Sequence, residues 1–244
     1  MEAMPSFMQY DPKVVLAVGA HADDIDFSAS GSVAAWAAQG AEVHYLIITD
    51  GSKGSEDKDM SAAELVKVRE HEQREAVKIL GAREAHFLHY EDGMLEVTMN
   101  LKKDIARVIR QLRPDTVVVF DPTMVYSSEL GFVNHPDHRA AGQATLDAVF
   151  PLARDHLSFP DLYANEKLEP HKVEHLLLVN LDKQNYFVDI SQSFDTKIAA
   201  LTKHESQVGN RQNITDMLKQ RAAATGGKSG HKYAEGFVRI DLPK

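Results

Sequence analysis

Lys13-Val-Val-Leu-Ala-Val-Gly-Ala-His-Ala-Asp-Asp24 is the stretch on which the reading of this chain turns. Its first part, Lys13 to Gly19, is an aliphatic run without polar alternation. Such a run reads as a strand buried on both faces, the condition of an inner strand in a parallel sheet. Directly after it come His21, Asp23 and Asp24, three metal-competent side chains within four residues. In open α/β sheets, ligands bind beyond the carboxyl ends of the strands. One stretch therefore predicts a fold class and the place where its chemistry lies.

Working outward, Ser28 to Gln39 reads as a helix stopped by Gly40, and Glu42 to Ile48 as a second strand. Ser61 to Leu80 is a long helix, with Ser61 and Glu64 spaced as a capping box and Gly81 as its stop. Glu84–Leu88 is a strand, Asn100–Leu112 a helix, Asp115–Phe120 a strand, and Pro136–Val149 a helix with proline in its first turn. This order predicts a Rossmann-like three-layer α/β/α fold around a mostly parallel sheet, with right-handed crossovers. Past Phe150 the pattern weakens. His156–Pro170 reads as an irregular connection, His175–Asn180 and Tyr186–Ile190 as strands, Thr196–Gln207 as a helix and Gly236–Leu242 as a last strand. Ala224–Gly230 reads as a mobile glycine-rich loop, a hinge or lid. No repeat or linker divides the chain, so residues 1–244 are expected to form one domain.

Composition narrows the chemistry. The chain contains no cysteine, which removes disulfides, Cys-ligated zinc, iron–sulfur clusters and thiol nucleophiles, and leaves any metal to His, Asp and Glu. Acidic residues outnumber basic ones 36 to 27, for a formal charge of −9, which argues against nucleic acid as a partner. The longest apolar runs fall far short of the roughly 18 residues of a membrane span. Met1–Asp11 lacks a basic region followed by an apolar stretch, so a cytoplasmic location is expected.

A second cluster, Asn134-His-Pro-Asp-His138, lies between the fourth strand and the helix after it. A parallel sheet brings strand ends together, so the two clusters are expected to share a pocket. Catalytic zinc takes three protein ligands and leaves a position for water. Two imidazoles and one carboxylate leave it cationic enough to acidify that water. Adjacent aspartates then divide the work: one binds the metal and its neighbour takes the proton. Taken singly, either cluster could be a helix cap or an ordinary turn; two at strand ends point to a site.

His21-Ala-Asp23-Asp24 together with His135-Pro-Asp-His138 resembles the zinc-dependent N-acetylglucosaminyl deacetylases of the LmbE/PIG-L family, whose motifs read His-Pro-Asp-Asp and His-Pro-Asp-His. The Thr49-Asp-Gly51 turn, Arg69-x-x-Glu72, Leu80-Gly81 and Asp92-Gly93 extend the resemblance. It implies a hydrolase that uses Zn2+ to remove acetyl from an N-acetylated amino sugar of GlcNAc or chitobiose type. It implies His21, Asp24 and His138 as zinc ligands, and Asp23 as the base that later protonates the leaving amine. It further implies a protonated His135 at the tetrahedral intermediate, Asp137 as the carboxylate orienting a histidine, and Arg69 and Asp92 as sugar contacts. Many members associate into trimers or hexamers, so a homo-oligomer is expected. Three positions depart from the pattern. Ala22 replaces a turn proline, the stretch after Thr49 lacks a common Glu, and Val133 stands where some members carry a tyrosine, so that residue's help to the oxyanion comes from Tyr126 or is absent.

Other features carry less. His86 and His89, three apart in a strand, point to opposite faces and read as packing or surface residues. His71-Glu-Gln-Arg-Glu75 is not a metalloprotease helix, and Gly227-Lys-Ser229 lacks the earlier glycine and the leading strand of a phosphate loop. Trp36 reads as core, and His204 and Gln207 as structural residues bordering the pocket at most. Three rival readings are an amidase for a bulkier amino-sugar conjugate on the same scaffold, a binding protein with a structural metal, and a doubly wound nucleotide-binding enzyme, which lacks its phosphate loop here. A structural site would want four ligands.

Overall fold

Strand β1 (Val14–Gly19) is the hub of the computed structural model, which describes residues 10–128, 131–209 and 213–243. The reading of Met1–Asp11 thus falls, apart from Tyr10 and Asp11, outside the described residues. After β1 come α1 (Asp24–Ser28), α2 (Ser30–Ala38), β2 (Glu42–Thr49), α3 (Ala62–Ile79), β3 (Glu84–Tyr90) and α4 (Met99–Leu112). β4 (Thr116–Phe120), a ribbon of β5 (Tyr126–Ser127) and β6 (Phe132–Val133), and α5 (Pro136–Asp147) complete the first part. The rest holds α6 (Pro160–Glu166), β7 (His175–Val179), β8 (Tyr186–Asp189), α7 (Phe194–Leu201), α8 (Glu205–Val208), α9 (Ile214–Ser229) and β9 (Ala234–Asp241).

The seven-stranded sheet has the order β3-β2-β1-β4-β7-β9-β8. β1 pairs in parallel with β2 and β4, and β3 and β7 extend the parallel set on either side. The chain moves outward from β1 through β2 to β3, then crosses back to β4. The crevice where the order reverses therefore opens at the carboxyl ends of β1 and β4. In this sheet β9 alone runs against its neighbours, β7 and β8, which makes the sheet mostly parallel as expected.

Alternation along β1 and β2 explains the three layers. Val15, Ala17, Val43, Tyr45 and Ile47 face one way, into a core with Val33 and Trp36 of α2 and Ala76 and Val77 of α3. Leu16, Val18, Leu46 and Ile48 face the other, against Leu101, Ile105 and Ile109 of α4 and Ala141 and Ala144 of α5. Trp36 is core, as read. α3 starts with both reciprocal bonds of the expected capping box between Ser61 and Glu64. α2 receives no side-chain cap from its own N-cap residue, Ala29. Instead Glu235 of β9 accepts from the Gly31 and Ser32 backbone N–H groups at 3.1 and 2.7 Å, and pairs with buried Lys197 of α7 at 2.6 Å.

Several expectations need correction. The helix read as Ser28–Gln39 is α2, but a short helix not foreseen, α1, precedes it, because the Asp23–Asp24 turn already starts a helix and the backbone breaks at Ala29. The segment read as irregular contains α6, and the helix read as Thr196–Gln207 is interrupted between α7 and α8. The supposed glycine-rich loop is the end of α9. Gly226 is needed there for close packing rather than for motion: a Cβ at that position would lie 2.5 Å from the His231 carbonyl oxygen. Among the described residues no helix is long and apolar enough to cross a membrane.

Candidate active site

Asp23 follows β1 in a left-handed conformation, with φ 89° and ψ −26°. For a residue with a Cβ this is unfavourable unless the surroundings hold it there. Here the hold is Gln73 of α3, whose side-chain oxygen accepts from the Asp23 N–H at 3.0 Å. The turn aims Asp24 back into the pocket, where its Oδ2 accepts from the His21 N–H at 2.8 Å. The Asp24 carboxylate also reaches both expected imidazole ligands, His138 Nε2 at 3.0 Å from Oδ1 and His21 Nδ1 at 3.6 Å from Oδ2.

The outward nitrogens of both rings are anchored. His21 Nε2 meets Asp92 Oδ1 at 3.0 Å and Asp137 Oδ2 at 3.3 Å. His138 Nδ1 meets Asn134 Oδ1 at 3.0 Å, and the Asn134 amide donates in turn to the Met124 carbonyl. Phe120 stacks on the His138 ring with centroids 4.6 Å apart. These partners fix the tautomers that turn the lone pairs of His21 Nδ1 and His138 Nε2 inward, the arrangement in which outer hydrogen bonds orient histidine ligands to a metal. His135 joins the group, with a ring nitrogen within 4.8 Å of donors on His21 and His138. Its Nδ1 accepts from the Asp137 N–H at 3.2 Å, so its proton sits on Nε2.

Electrostatics follow from this crowding. Burial alone would lower the His21 pKa, but its hydrogen bonds to the carboxylates of Asp137, Asp24 and Asp92 outweigh it and push the ring up to about 12. A pocket that stabilises an imidazolium so strongly is built to hold positive charge, and its donors, two imidazoles and a carboxylate, suit a zinc-type cation. Burial acts against the Asp24 carboxylate, yet His138 and His21 hold it well below the ordinary range. Asp23 behaves oppositely: burial pushes it up to about 6 against the opposing pull of the Arg69 guanidinium. Two adjacent carboxylates pushed apart in pKa are the pattern of an acid–base residue beside a ligand. Partial burial, helped by His21, lowers His135. With Nδ1 accepting from the Asp137 N–H, the free donor of this ring is its Nε2–H.

Arg69 and Asp92, read as sugar contacts, are 5 % exposed each. The Arg69 guanidinium donates to the Ala22 and Gly51 carbonyls at 2.8 and 3.2 Å and lies 3.7 Å from Asp23. It joins the motif turn to the turn after β2. Asp92 flanks His21 and accepts from the Lys53 N–H at 2.9 Å. Asp137 orients His21, while also accepting from the Gly93 and Leu95 N–H groups. Across the β5–β6 ribbon, Tyr126 is the register partner of Val133, so its phenol stands beside the position where the tyrosine is missing.

One network escapes a reading of the sequence. Behind Asp23, Gln73 donates to Asp26 Oδ2 at 2.8 Å, and the same oxygen meets His204 Nε2 at 3.1 Å. Asp26, Gln73 and His204 have no exposed surface. The only signal for it is a set of polar residues at core positions of amphipathic helices.

Residues 16–149 match the family described as PIG-L: GlcNAc-PI de-N-acetylase, and the chain belongs to that family. It is 35 % identical over 231 residues to a diacetylchitobiose deacetylase of Thermococcus kodakarensis, covering 93 % of this chain and 83 % of that one. Among solved structures it resembles the N,N'-diacetylchitobiose deacetylase from Pyrococcus horikoshii complexed with its inhibitor MPG. That likeness has a TM-score of 0.84 and 31 % identity, and covers 95 % and 85 % of the two chains. A conserved protein from Thermus thermophilus matches with a TM-score of 0.76 at 28 % identity, over 94 % and 95 %.

Proposed function

We propose that this chain is a zinc-dependent hydrolase that removes the acetyl group from an N-acetylated amino sugar, with a chitobiose-type disaccharide as the leading substrate. The observation that carries the reading is the Asp23–Asp24 pair: Asp24 faces two anchored imidazoles, while Asp23 is pushed up to about 6. Family membership and likeness to two diacetylchitobiose deacetylases support the reaction and its substrate class.

His21 through Nδ1, Asp24, and His138 through Nε2 would hold the metal. When bound, zinc supplies a Lewis acid that polarises the acetamide carbonyl and lowers the pKa of water toward about 7. Asp23 takes the proton as water attacks, and its raised pKa lets it give that proton to the departing amine. His135 Nε2–H donates to the carbonyl oxygen as charge develops there. Arg69 holds the turn that carries Asp23, and Asp92 with Asp137 fixes the His21 ring. The reading extends to residues 1–244 as one catalytic domain and, from the family resemblance, to a trimer or hexamer.

Acetate release from N-acetylglucosamine and N,N'-diacetylchitobiose, with a chelator and after zinc is restored, tests the proposal. Chelator-sensitive release rescued by zinc is expected. No release from either sugar by metal-loaded protein would overturn the substrate class and favour the amidase for bulkier conjugates.

A further inference from the structure

Far from this pocket, β2 and β3 carry four polar side chains on one face of the sheet. His44 pairs in register with Glu84, and Leu46 with His86. Side chains two apart on a strand share a face, so Glu42 and His44 on β2 meet Glu84 and His86 on β3. β3 is the edge strand of the sheet, and the group lies at the amino ends of both strands. At about 3.3 Å per residue, His44 sits roughly 16 Å back along β2 from the carboxyl end that faces the catalytic pocket.

His44 Nδ1 lies 3.2 Å from His86 Nε2, and a Glu84 carboxylate oxygen falls within 4.8 Å of these ring donors. Two nitrogens about 2.0–2.1 Å from one tetrahedral cation stand roughly 3.3 Å apart. On its other side, His44 Nε2 meets Glu42 Oε1 at 2.9 Å. That bond places the His44 proton on Nε2 and leaves the Nδ1 lone pair facing His86. A carboxylate behind a histidine is the arrangement that orients and strengthens a metal ligand. A simple hydrogen bond between the rings would account for the 3.2 Å contact. It would leave Glu84 without a part in the arrangement.

We propose that His44, His86 and Glu84, with Glu42 orienting His44, form a second site for a zinc-type divalent cation that ties edge strand β3 to β2. His44 is 5 % exposed, whereas Glu84 and Glu42 are exposed, so the cation enters from the sheet edge and keeps solvent in its remaining position.

The test loads chelator-stripped full-length protein with Zn2+ and measures bound metal by elemental analysis after gel filtration, for wild type, His86→Ala and Glu84→Gln. Wild type is expected to retain one equivalent more than either variant and to show a larger Zn2+-dependent rise in Tm than either. Glu42→Gln is expected to retain the extra equivalent with about 10–100-fold weaker affinity. Glu84→Gln changes only an exposed side chain, so it decides the matter even if His86→Ala folds poorly. The comparison is a difference of one equivalent, independent of what the catalytic pocket holds. Equal stoichiometry in wild type and Glu84→Gln, with Zn2+ and again with Co2+, would overturn the proposal.

Discussion

Replacing Gln73 by Leu should damage both the fold and the base, and the size of each effect follows from two hydrogen bonds. Gln73 accepts from the N–H of Asp23 at 3.0 Å and donates to Asp26 at 2.8 Å, with no exposed surface of its own. Leucine fills similar space and offers neither bond. A buried polar group left unpaired costs about 1–3 kcal/mol. Asp26 retains His204 and Tyr45, so the expected loss is about 2–4 kcal/mol rather than the full sum. Urea unfolding should show it as a lower midpoint at unchanged slope. The same change frees Asp23 to leave its left-handed conformation, and a misplacement of about 1 Å costs roughly a hundredfold in turnover. kcat should fall with KM nearly unchanged. Gln73→Glu separates the two bonds: it still accepts from Asp23, but sets a second carboxylate against Asp26. Should Gln73→Leu keep wild-type stability and stay within twofold of wild-type kcat, the positioning argument fails.

The remaining predictions concern the base, the ribbon and the ion pair under α2. Asp23, the proposed base, is pushed up to about 6 chiefly by burial and can take a proton only when ionised, so kcat/KM should fall about tenfold per unit as pH drops below that value. A pH profile whose acid limb centres near the ordinary aspartate value of about 3.9 would contradict this. Tyr126→Phe should lower kcat about tenfold to a hundredfold with little change in KM, at or below the usual loss for an oxyanion donor; steady-state kinetics on the chosen sugar checks it. Glu235→Gln leaves the buried Lys197 ammonium without its counter-charge and should cost about 3–5 kcal/mol, read as a shift in denaturant midpoint.

The parts of this fold that can be read from sequence are those whose cause is local. β1 and β4 are buried on both faces, which leaves the Val-rich runs Val14–Val18 and Val117–Val119, and α3 announces its start through Ser61 and Glu64. The end of α9 is hidden because Gly226 and Gly227 each cost about 1 kcal/mol in a helix. The reason for Gly226, the approach of the His231 carbonyl, exists only in the folded chain. The same division holds at the site. His21, Asp23 and Asp24 form one short cluster and His135 to His138 another, so both stand out by eye. The Asp26–Gln73–His204 network joins residues 47 and 178 positions apart and leaves no local signature. Arg69 and Asp92 are legible as important but not in role. Only geometry assigns one to backbone carbonyls beside Asp23 and the other to a ring nitrogen of His21. His86 looks idle in the sequence because its nearest histidine there points the other way, yet its true partner lies on the adjacent strand.

The capping of α2 by Glu235 has a consequence for how the protein comes into being. Ribosomes deliver α2 about 200 residues before β9, so throughout that interval the N–H groups of Gly31 and Ser32 have only water as partner. α2 can therefore be completed only once residue 235 has emerged. A nascent chain stalled short of that point would carry both sequence motifs and nearly all of the parallel sheet, and still be an unfinished enzyme. Limited proteolysis of chains arrested before and after β9 would reveal the moment at which this distant carboxylate closes the structure.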